Sequence, residues 1–160
     1  MPRPDLLTSA TAAALLFLTS CGGDRDLRKT YPVTGTVIVD GKPAPSGVVV
    51  SLHPQFTETD RLPIHPRGAT DESGRFKITT YNTDDGAPEG EYVVTVEWLQ
   101  RSGPMSPHFG NDLFAGAFAK PESLKGKPEF TLNVTRDGGS IDIKLTLPPE
   151  AKKKIEAAKK

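Results

Sequence analysis

The feature that most constrains the fold of this chain is an alternation of apolar and polar residues that recurs from residue 33 to residue 147. Successive side chains of a β-strand point to opposite faces, so each alternating run predicts a strand with one buried face. The clearest run is 91–99. Its predicted inward residues are Tyr92, Val94, Val96 and Trp98, and its predicted outward residues are Val93, Thr95 and Glu97. Helical periodicity does not appear before the C-terminal tail.

Comparable runs begin near residues 33, 47, 75, 130 and 141, and turns containing Gly separate several of them. Strands with one apolar face need a second sheet to cover that face. We therefore expect an all-β fold, an antiparallel β-sandwich of about seven strands over 31–147. The predicted core includes Val37, Val50, Ile78, Val94, Val96, Ile143 and Leu145. The single Cys excludes a disulfide framework.

Three motifs, in order along the chain, resemble those of carboxypeptidase-regulatory-like domains. They are Val33-Thr34-Gly35-Thr36-Val37 with the turn Asp40-Gly41-Lys42-Pro43, then Ala69-Thr70-Asp71-Glu72-Ser73-Gly74-Arg75-Phe76, then Pro88-Glu89-Gly90-Glu91-Tyr92-Val93-Val94-Thr95-Val96. The resemblance covers roughly 31–98, and 129–147 resembles the closing hairpin of such domains. It implies a prealbumin-like (transthyretin-like) β-sandwich without catalytic residues of its own. Independently of the family, we expect Tyr92 to bury its ring and cap a nearby backbone group.

Residues 1–20 have the pattern of an export signal, with a short apolar stretch that ends before it could span a bilayer. The sequence Leu18-Thr19-Ser20-Cys21 resembles the bacterial lipobox, an aliphatic residue and two small residues before a Cys. In lipoproteins of that kind the Cys thiol is diacylglycerylated, the signal is removed, and the new amine is usually acylated, for example with palmitate. The resemblance implies that Cys21 carries lipid and begins the mature protein. An unmodified Cys near an ordinary signal is the alternative.

Residues 21–30 then form a lipidated N-terminus and a polar tether that reaches at most ~30 Å. Acyl chains hold a protein on a membrane at ~0.8 kcal/mol per buried CH₂. The expected location is therefore the periplasmic or cell-surface face of a bacterial envelope, with the membrane as one partner and another envelope protein or polymer as a second. The sequence leaves open which membrane and which face.

Two long segments, 54–67 and 100–128, interrupt the strands. The second contains several aromatic residues, and unstructured loops of this length are uncommon in compact domains. We expect Phe114 and Phe118 to be largely buried and to close the sandwich. The alternative is an exposed aromatic pair, so Phe109 and Phe114 are also candidate partner-binding residues.

Catalytic and metal-binding patterns are weak. His53, His65 and His108 follow no metal-ligand spacing, although a cluster in space stays open. Asp84-Asp85-Gly86 and Asp71-x-Ser73-Gly74 offer oxygens for Ca²⁺ but lack the twelve-residue loop with its closing Glu, so plain turns are the better interpretation. Related sandwiches include transthyretin-like hydrolases and intradiol dioxygenases, whose motifs this chain does not match. We expect no enzyme activity, no catalytic residue, no metal and no cofactor.

Lys and Arg number 20 and so do Asp and Glu, so the net charge of zero disfavours a nucleic-acid partner. The tail 148–160 is basic, and we expect it to form a frayed, solvated helix; contact with anionic lipid or an envelope polymer is the functional alternative. The leading hypothesis is a non-enzymatic, lipid-anchored β-sandwich that binds an envelope component or serves structurally. The rivals are a module that binds carbohydrate or calcium through the loops 54–67 and 100–128, and an enzyme that uses the His residues.

Overall fold

The computed structural model describes residues 27–56, 63–101 and 109–159. Its strands are β1 (Thr30–Tyr31), β2 (Val33–Val39), β3 (Lys42–Pro43), β4 (Val49–Pro54), β5 (Arg67–Ala69), β6 (Arg75–Lys77), β7 (Ala87–Pro88), β8 (Gly90–Glu97), β9 (Leu99–Arg101), β10 (Phe109–Asp112), β11 (Thr131–Val134) and β12 (Gly139–Leu145). The helices are α1 (Pro121–Leu124) and α2 (Pro149–Ala158), and a 3₁₀ turn covers Pro128–Phe130.

The strands form two main sheets that enclose one core. In the first sheet β12 pairs with β2, and β3 and β6 share the other edge of β2. In the second sheet the order is β11-β8-β4-β5. Within the described residues these sheets contain eight strands, and β1–β7 and β9–β10 form two small ladders. The all-β sandwich predicted from the alternation is confirmed.

The core contains the residues that the alternation assigned to it. Each of the seven predicted core residues is at most 3% exposed: Val37, Val50, Ile78, Val94, Val96, Ile143 and Leu145. They belong to one apolar cluster with Phe76, Leu132 and Val134. Strand faces are therefore read correctly from the pattern in both sheets.

The last strands of the sandwich differ from the expected closing hairpin over 129–147. β11 pairs antiparallel with β8 in the second sheet, whereas β12 pairs parallel with β2 in the first. A bridge between Thr135 and Gly138 connects them. The chain crosses between sheets here because Gly139 donates its N–H to the carbonyl of Pro32, 2.9 Å away, and so aligns with the start of β2. The sandwich is thus antiparallel apart from the β2–β12 pair.

The outward face of β8 is covered, which the alternation did not predict. Val93 and Thr95 are 2% and 1% exposed, although both lie on the face opposite the core residues Val94 and Val96. Besides its neighbouring strands, β8 contacts α1 and the 3₁₀ turn Pro128–Phe130. Residues on the outward face of β8, such as Thr95, are therefore covered by the part of the long segment 100–128 that contains the short helix α1.

The tail is docked, contrary to the expected frayed and solvated helix. Ala151 of α2 is fully buried, and Ile155, one turn later, packs against the core. Lys152 Nζ lies 3.1 Å from Asp40 Oδ2, and the N–H of Leu147 donates to Asp40 Oδ1. Two small apolar contacts and one ion pair therefore fix the helix on the sandwich.

The two ends of the sandwich have different structures. β2 and β12 run in the same direction, and β1 precedes Val33 at the end where both begin. We call this the entry end. α2 follows β12 at the opposite end, beside Asp40, and we call that the cap end.

Candidate functional site

The residues of the proposed lipid attachment, Leu18, Thr19, Ser20 and Cys21, lie outside the described residues. His108 also lies outside them. Phe109 begins β10, but its side chain is not among those described. None of the described helices is long and apolar enough to cross a bilayer.

The aromatic residues of 100–128 close the cap end of the core. Phe114 is fully buried, and its ring centroid lies 6.0 Å from that of Trp98 and 6.1 Å from that of Phe118. Phe118 is partly buried and stacks on Phe130 with centroids 6.0 Å apart. Phe114 therefore has no exposed surface with which a partner could make contact. Its assignment as a candidate partner-binding residue is corrected. The expectation of closure holds fully for Phe114 and partly for Phe118.

Asp112 holds this aromatic segment in place, and the sequence analysis did not identify it. Its Oδ1 accepts hydrogen bonds from the N–H of Trp98 at 2.9 Å and of Phe114 at 3.0 Å, and its Oδ2 accepts one from Gly116 at 2.8 Å. An Asp side chain that bonds backbone groups two and four residues later is a local turn device. The run Asp-Leu-Phe-Ala-Gly is the sequence signal that would have revealed it.

The two Asp-rich turns are structural. Asp85 accepts hydrogen bonds from the backbone N–H groups of Thr80, Tyr81 and Asn82. Asp71 Oδ1 accepts bonds from Ser73 N–H, Ser73 Oγ and Arg75 N–H. These carboxylate oxygens are engaged by the turns themselves, as the plain-turn interpretation expected.

An open cleft of about 390 Å³ lies where β4 meets the segment that leads into β5. We call it the β4 cleft. Its lining residues are Ser51, Leu52, His53, Pro54, Pro63, Ile64, His65, Pro66 and Arg67. It is formed by part of the predicted loop 54–67 together with the end of a core strand, and no described residue of the segment 100–128 is among its lining.

The register of β4 and β5 explains why basic side chains meet in the β4 cleft. Ser51 is directly opposite Arg67, and the N–H of Leu52 bonds to the carbonyl of Pro66 at 2.9 Å. Continuing this register by one step places His65 opposite His53. Opposed residues of an antiparallel pair share a face. His53, His65 and Arg67 therefore occupy one side of the sheet, the side on which Thr95 lies.

His53 is the most constrained of these side chains. Its Nε2 lies 2.9 Å from Thr95 Oγ1, and Thr95 is 1% exposed. Burial lowers the pKa of His53 below its ordinary value; the carboxylate of Glu122 acts in the opposite direction, and the charge of His65 lowers it further. His53 is therefore the neutral partner of a buried hydroxyl around pH 7.

Metal-ligand clusters are absent from the part of the chain that the structure describes, since no three His, Cys, Asp or Glu side chains there are grouped to hold an ion. His53 and His65 come together, but a third ligand does not join them within those residues. The sequence left a spatial cluster of the three histidines open; the structure brings His53 and His65 together, and His108 lies outside the described residues.

No protein-family model matches the chain. No curated protein matches it. Among solved structures, the chain is similar to the dioxygenase domain of a dioxygenase–carbohydrate-binding protein fusion from the cellulolytic bacterium Streptomyces sp. SirexAA-E, with 15% identity over 76% of this chain and 82% of that one, at a TM-score of 0.37. It is also similar to a 9R-lipoxygenase from Cyanothece PCC8801, with 19% identity over 75% of this chain and 17% of that chain, at a TM-score of 0.37. Likenesses this distant carry no argument about activity.

Proposed function

We propose that this β-sandwich is a lipid-anchored, non-enzymatic module of a bacterial cell envelope, which binds another envelope component or serves structurally. The observation that carries the proposal is the sequence Leu18-Thr19-Ser20-Cys21, which contains the only Cys of the chain and is followed by two Gly. A polar tether of eight residues separates Cys21 from the start of β1. This arrangement is similar to that of small bacterial lipoproteins with a carboxypeptidase-regulatory-like domain.

The non-enzymatic part of the proposal is supported by the surroundings of the described histidines. The hydroxyl nearest to His53 belongs to Thr95, whose 1% exposure keeps a substrate from reaching it. A nucleophile must contact its substrate within about 3.5 Å. The His53–Thr95 pair therefore acts as a packing contact in this proposal, and His53 has no catalytic role.

The anchoring is tested by expressing the full chain in a bacterium with an alkyne fatty acid and separating membranes from soluble material. We expect the wild-type chain to be labelled and to remain with membranes, and Cys21→Ala to lose both properties. Ser20→Ala keeps a small residue before the Cys and is the matched control, which should behave as wild type. Membrane retention of an unlabelled Cys21→Ala chain would overturn the lipid anchor.

A module that binds a small ligand is the second candidate function, and the β4 cleft is the observation that favours it. The calcium version has no support in the Asp-rich turns, whose oxygens already accept backbone hydrogen bonds. A sugar or another small polar molecule suits a cleft of this size better.

A further inference from the structure

The described side chains lining the β4 cleft that can carry charge are all basic. They are His53, His65 and Arg67, and none of the lining residues within 51–54 and 63–67 is acidic. The lining also contributes the hydroxyl of Ser51, opposite Arg67. Two imidazole rings, one guanidinium and one hydroxyl therefore lie on the same face. Groups of this kind can donate hydrogen bonds to a negatively charged oxygen group.

Arg67 has no carboxylate partner among the described residues. The described ion pairs join Lys77 to Asp84, Arg136 to Glu89 and Lys152 to Asp40. An Arg side chain presents five N–H donors in a planar fork that fits carboxylate and phosphate oxygens. The guanidinium beside the cleft is therefore available to an anion from solution.

The register places the two histidines opposite each other. The protonation of each ring therefore depends on the charge of the other ring and of any ion bound beside them. If both rings are charged they repel, and this repulsion is one of the causes that lower the pKa of His53. An anion held between the rings offsets the repulsion and favours the protonated forms. Binding of an anion and uptake of protons are therefore linked.

Rigidity and size complete the site. Pro54, Pro63 and Pro66 restrict the backbone φ angles at three positions of the lining, which lowers the entropy lost when a ligand binds. The volume of about 390 Å³ lies toward the small end of ligand pockets. We propose that the β4 cleft binds a small oxyanion, a phosphate or carboxylate group carried by a molecule of about sugar size.

Other charged groups around His53 set the expected pH dependence. From α1, the carboxylate of Glu122 raises the pKa of His53, while desolvation and His65 lower it. Thr95 on β8 contributes a neutral hydroxyl. Because Arg67 is the permanent cation of the cleft, protonation of His53 adds positive charge beside it, and anion affinity should rise as the pH falls.

The test uses the purified full chain in detergent, with the ring signals of His53 and His65 followed by NMR during titration. Sulfate serves for the pH series, because its charge is constant over the range. We expect saturable shifts of both ring signals, an upward shift of the His53 pKa with sulfate bound, and tighter binding at pH ~5.5 than at pH ~7.5. Phosphate and glucuronate then distinguish the two oxyanion sources, and glucose is the neutral comparison.

Two variants locate the site. Arg67→Gln removes the guanidinium fork and should weaken binding about tenfold, since a charge-assisted hydrogen bond contributes on this scale. His65→Asn should reduce the pH dependence. Arg136→Gln makes the same change of charge at the turn after β11, at a residue that does not line the cleft, and should bind like wild type. Unfolding midpoints of the variants confirm that each remains folded.

Equal weakening by Arg67→Gln and Arg136→Gln would overturn the proposal, because it would show screening of net charge without a site. Shifts produced equally by glucose would also overturn it, since the oxyanion would then not be selected. Absence of saturable shifts with sulfate, phosphate and glucuronate would do the same. None of these outcomes depends on whether Cys21 carries lipid.

Discussion

The hydroxyl of Tyr92 donates a hydrogen bond to the carbonyl oxygen of Pro88, 2.8 Å away and four residues earlier in the chain. The side chain is fully buried, and its ring contacts Phe56 edge-on with centroids 5.6 Å apart. Gly90 lies between the two partners with φ +150°, and a Cβ there would clash with the ring of Phe56. The cap that was expected for Tyr92 is confirmed, and it joins the start of β8 to β7.

Loss of this cap should destabilise the domain. Tyr92→Phe removes the hydroxyl and keeps the ring, and we expect the free energy of unfolding to fall by about 1–2 kcal/mol. Urea denaturation measures the change. Tyr81→Phe is the control, because its partly buried hydroxyl makes no hydrogen bond in the described structure, and it should unfold at nearly the wild-type urea concentration.

The aromatic cluster at the cap end predicts a graded effect. Phe114→Ala removes a fully buried ring and should cost about 3–5 kcal/mol of stability, whereas Phe118→Ala should cost less because its ring is partly exposed. Thermal unfolding of the two variants gives the comparison. A larger loss for Phe118 than for Phe114 would contradict the packing described here.

Glu97 predicts a pH effect. Burial raises the pKa of its carboxyl, and the charge of Asp112 raises it further. Because the folded state then binds the proton more tightly than the unfolded state, stability is lost as the pH rises from the unfolded pKa through the folded one. Glu97→Gln should therefore stabilise the domain at pH ~7 and have little effect at pH ~4.

The control for Glu97 is Glu91→Gln, a change of the same kind on the exposed part of β8. Its effect on unfolding in urea should be small at both pH values. A stabilisation by Glu97→Gln that is equal at low and neutral pH would show that ionisation of Glu97 is not the cause.

Docking of α2 can be tested through its buried Ala. Ala151→Gln forces a long polar side chain into a filled position and should lower stability by about 1–3 kcal/mol. Ala157→Gln, on the exposed side of the same helix, should be nearly neutral. Hydrogen exchange of the α2 amides reports whether the helix itself has detached, and fast exchange in the wild-type chain would contradict the docking.

How far the sequence predicts this structure depends on whether a property is local. The buried faces of Val50, Val94 and Ile143 follow from alternation within single strands, and they were predicted. The parallel partnership of β12 with β2 depends on residues about a hundred positions apart, which no local pattern records. Thr95 shows the same limit. The alternation within β8 assigns it to the correct face, but it cannot show that α1 covers that face.

The β4 cleft illustrates this limit at the candidate site. His53 and His65 are twelve residues apart and follow no ligand motif, so their spacing carries no signal. They come together because Ser51 pairs with Arg67 and Leu52 bonds to Pro66, which brings the residues just before β5 beside the end of β4. Phe114 shows a related limit: its apolar character was evident, but that it faces the core follows from its packing against Trp98 and Phe118, which the sequence does not record.

The chain enters the sandwich at the entry end, and α2 packs on the opposite, cap end. This arrangement determines how far α2 lies from the N-terminal tether. β2 has seven residues and spans about 20 Å from Val33 to Val39. If Cys21 holds the chain on a bilayer and β2 stands along the bilayer normal, a taut tether places the entry end nearest the bilayer and α2 about that much farther out. The lysines of α2 would then face away from the bilayer that holds the protein and would contact partners there before they contact its lipid headgroups.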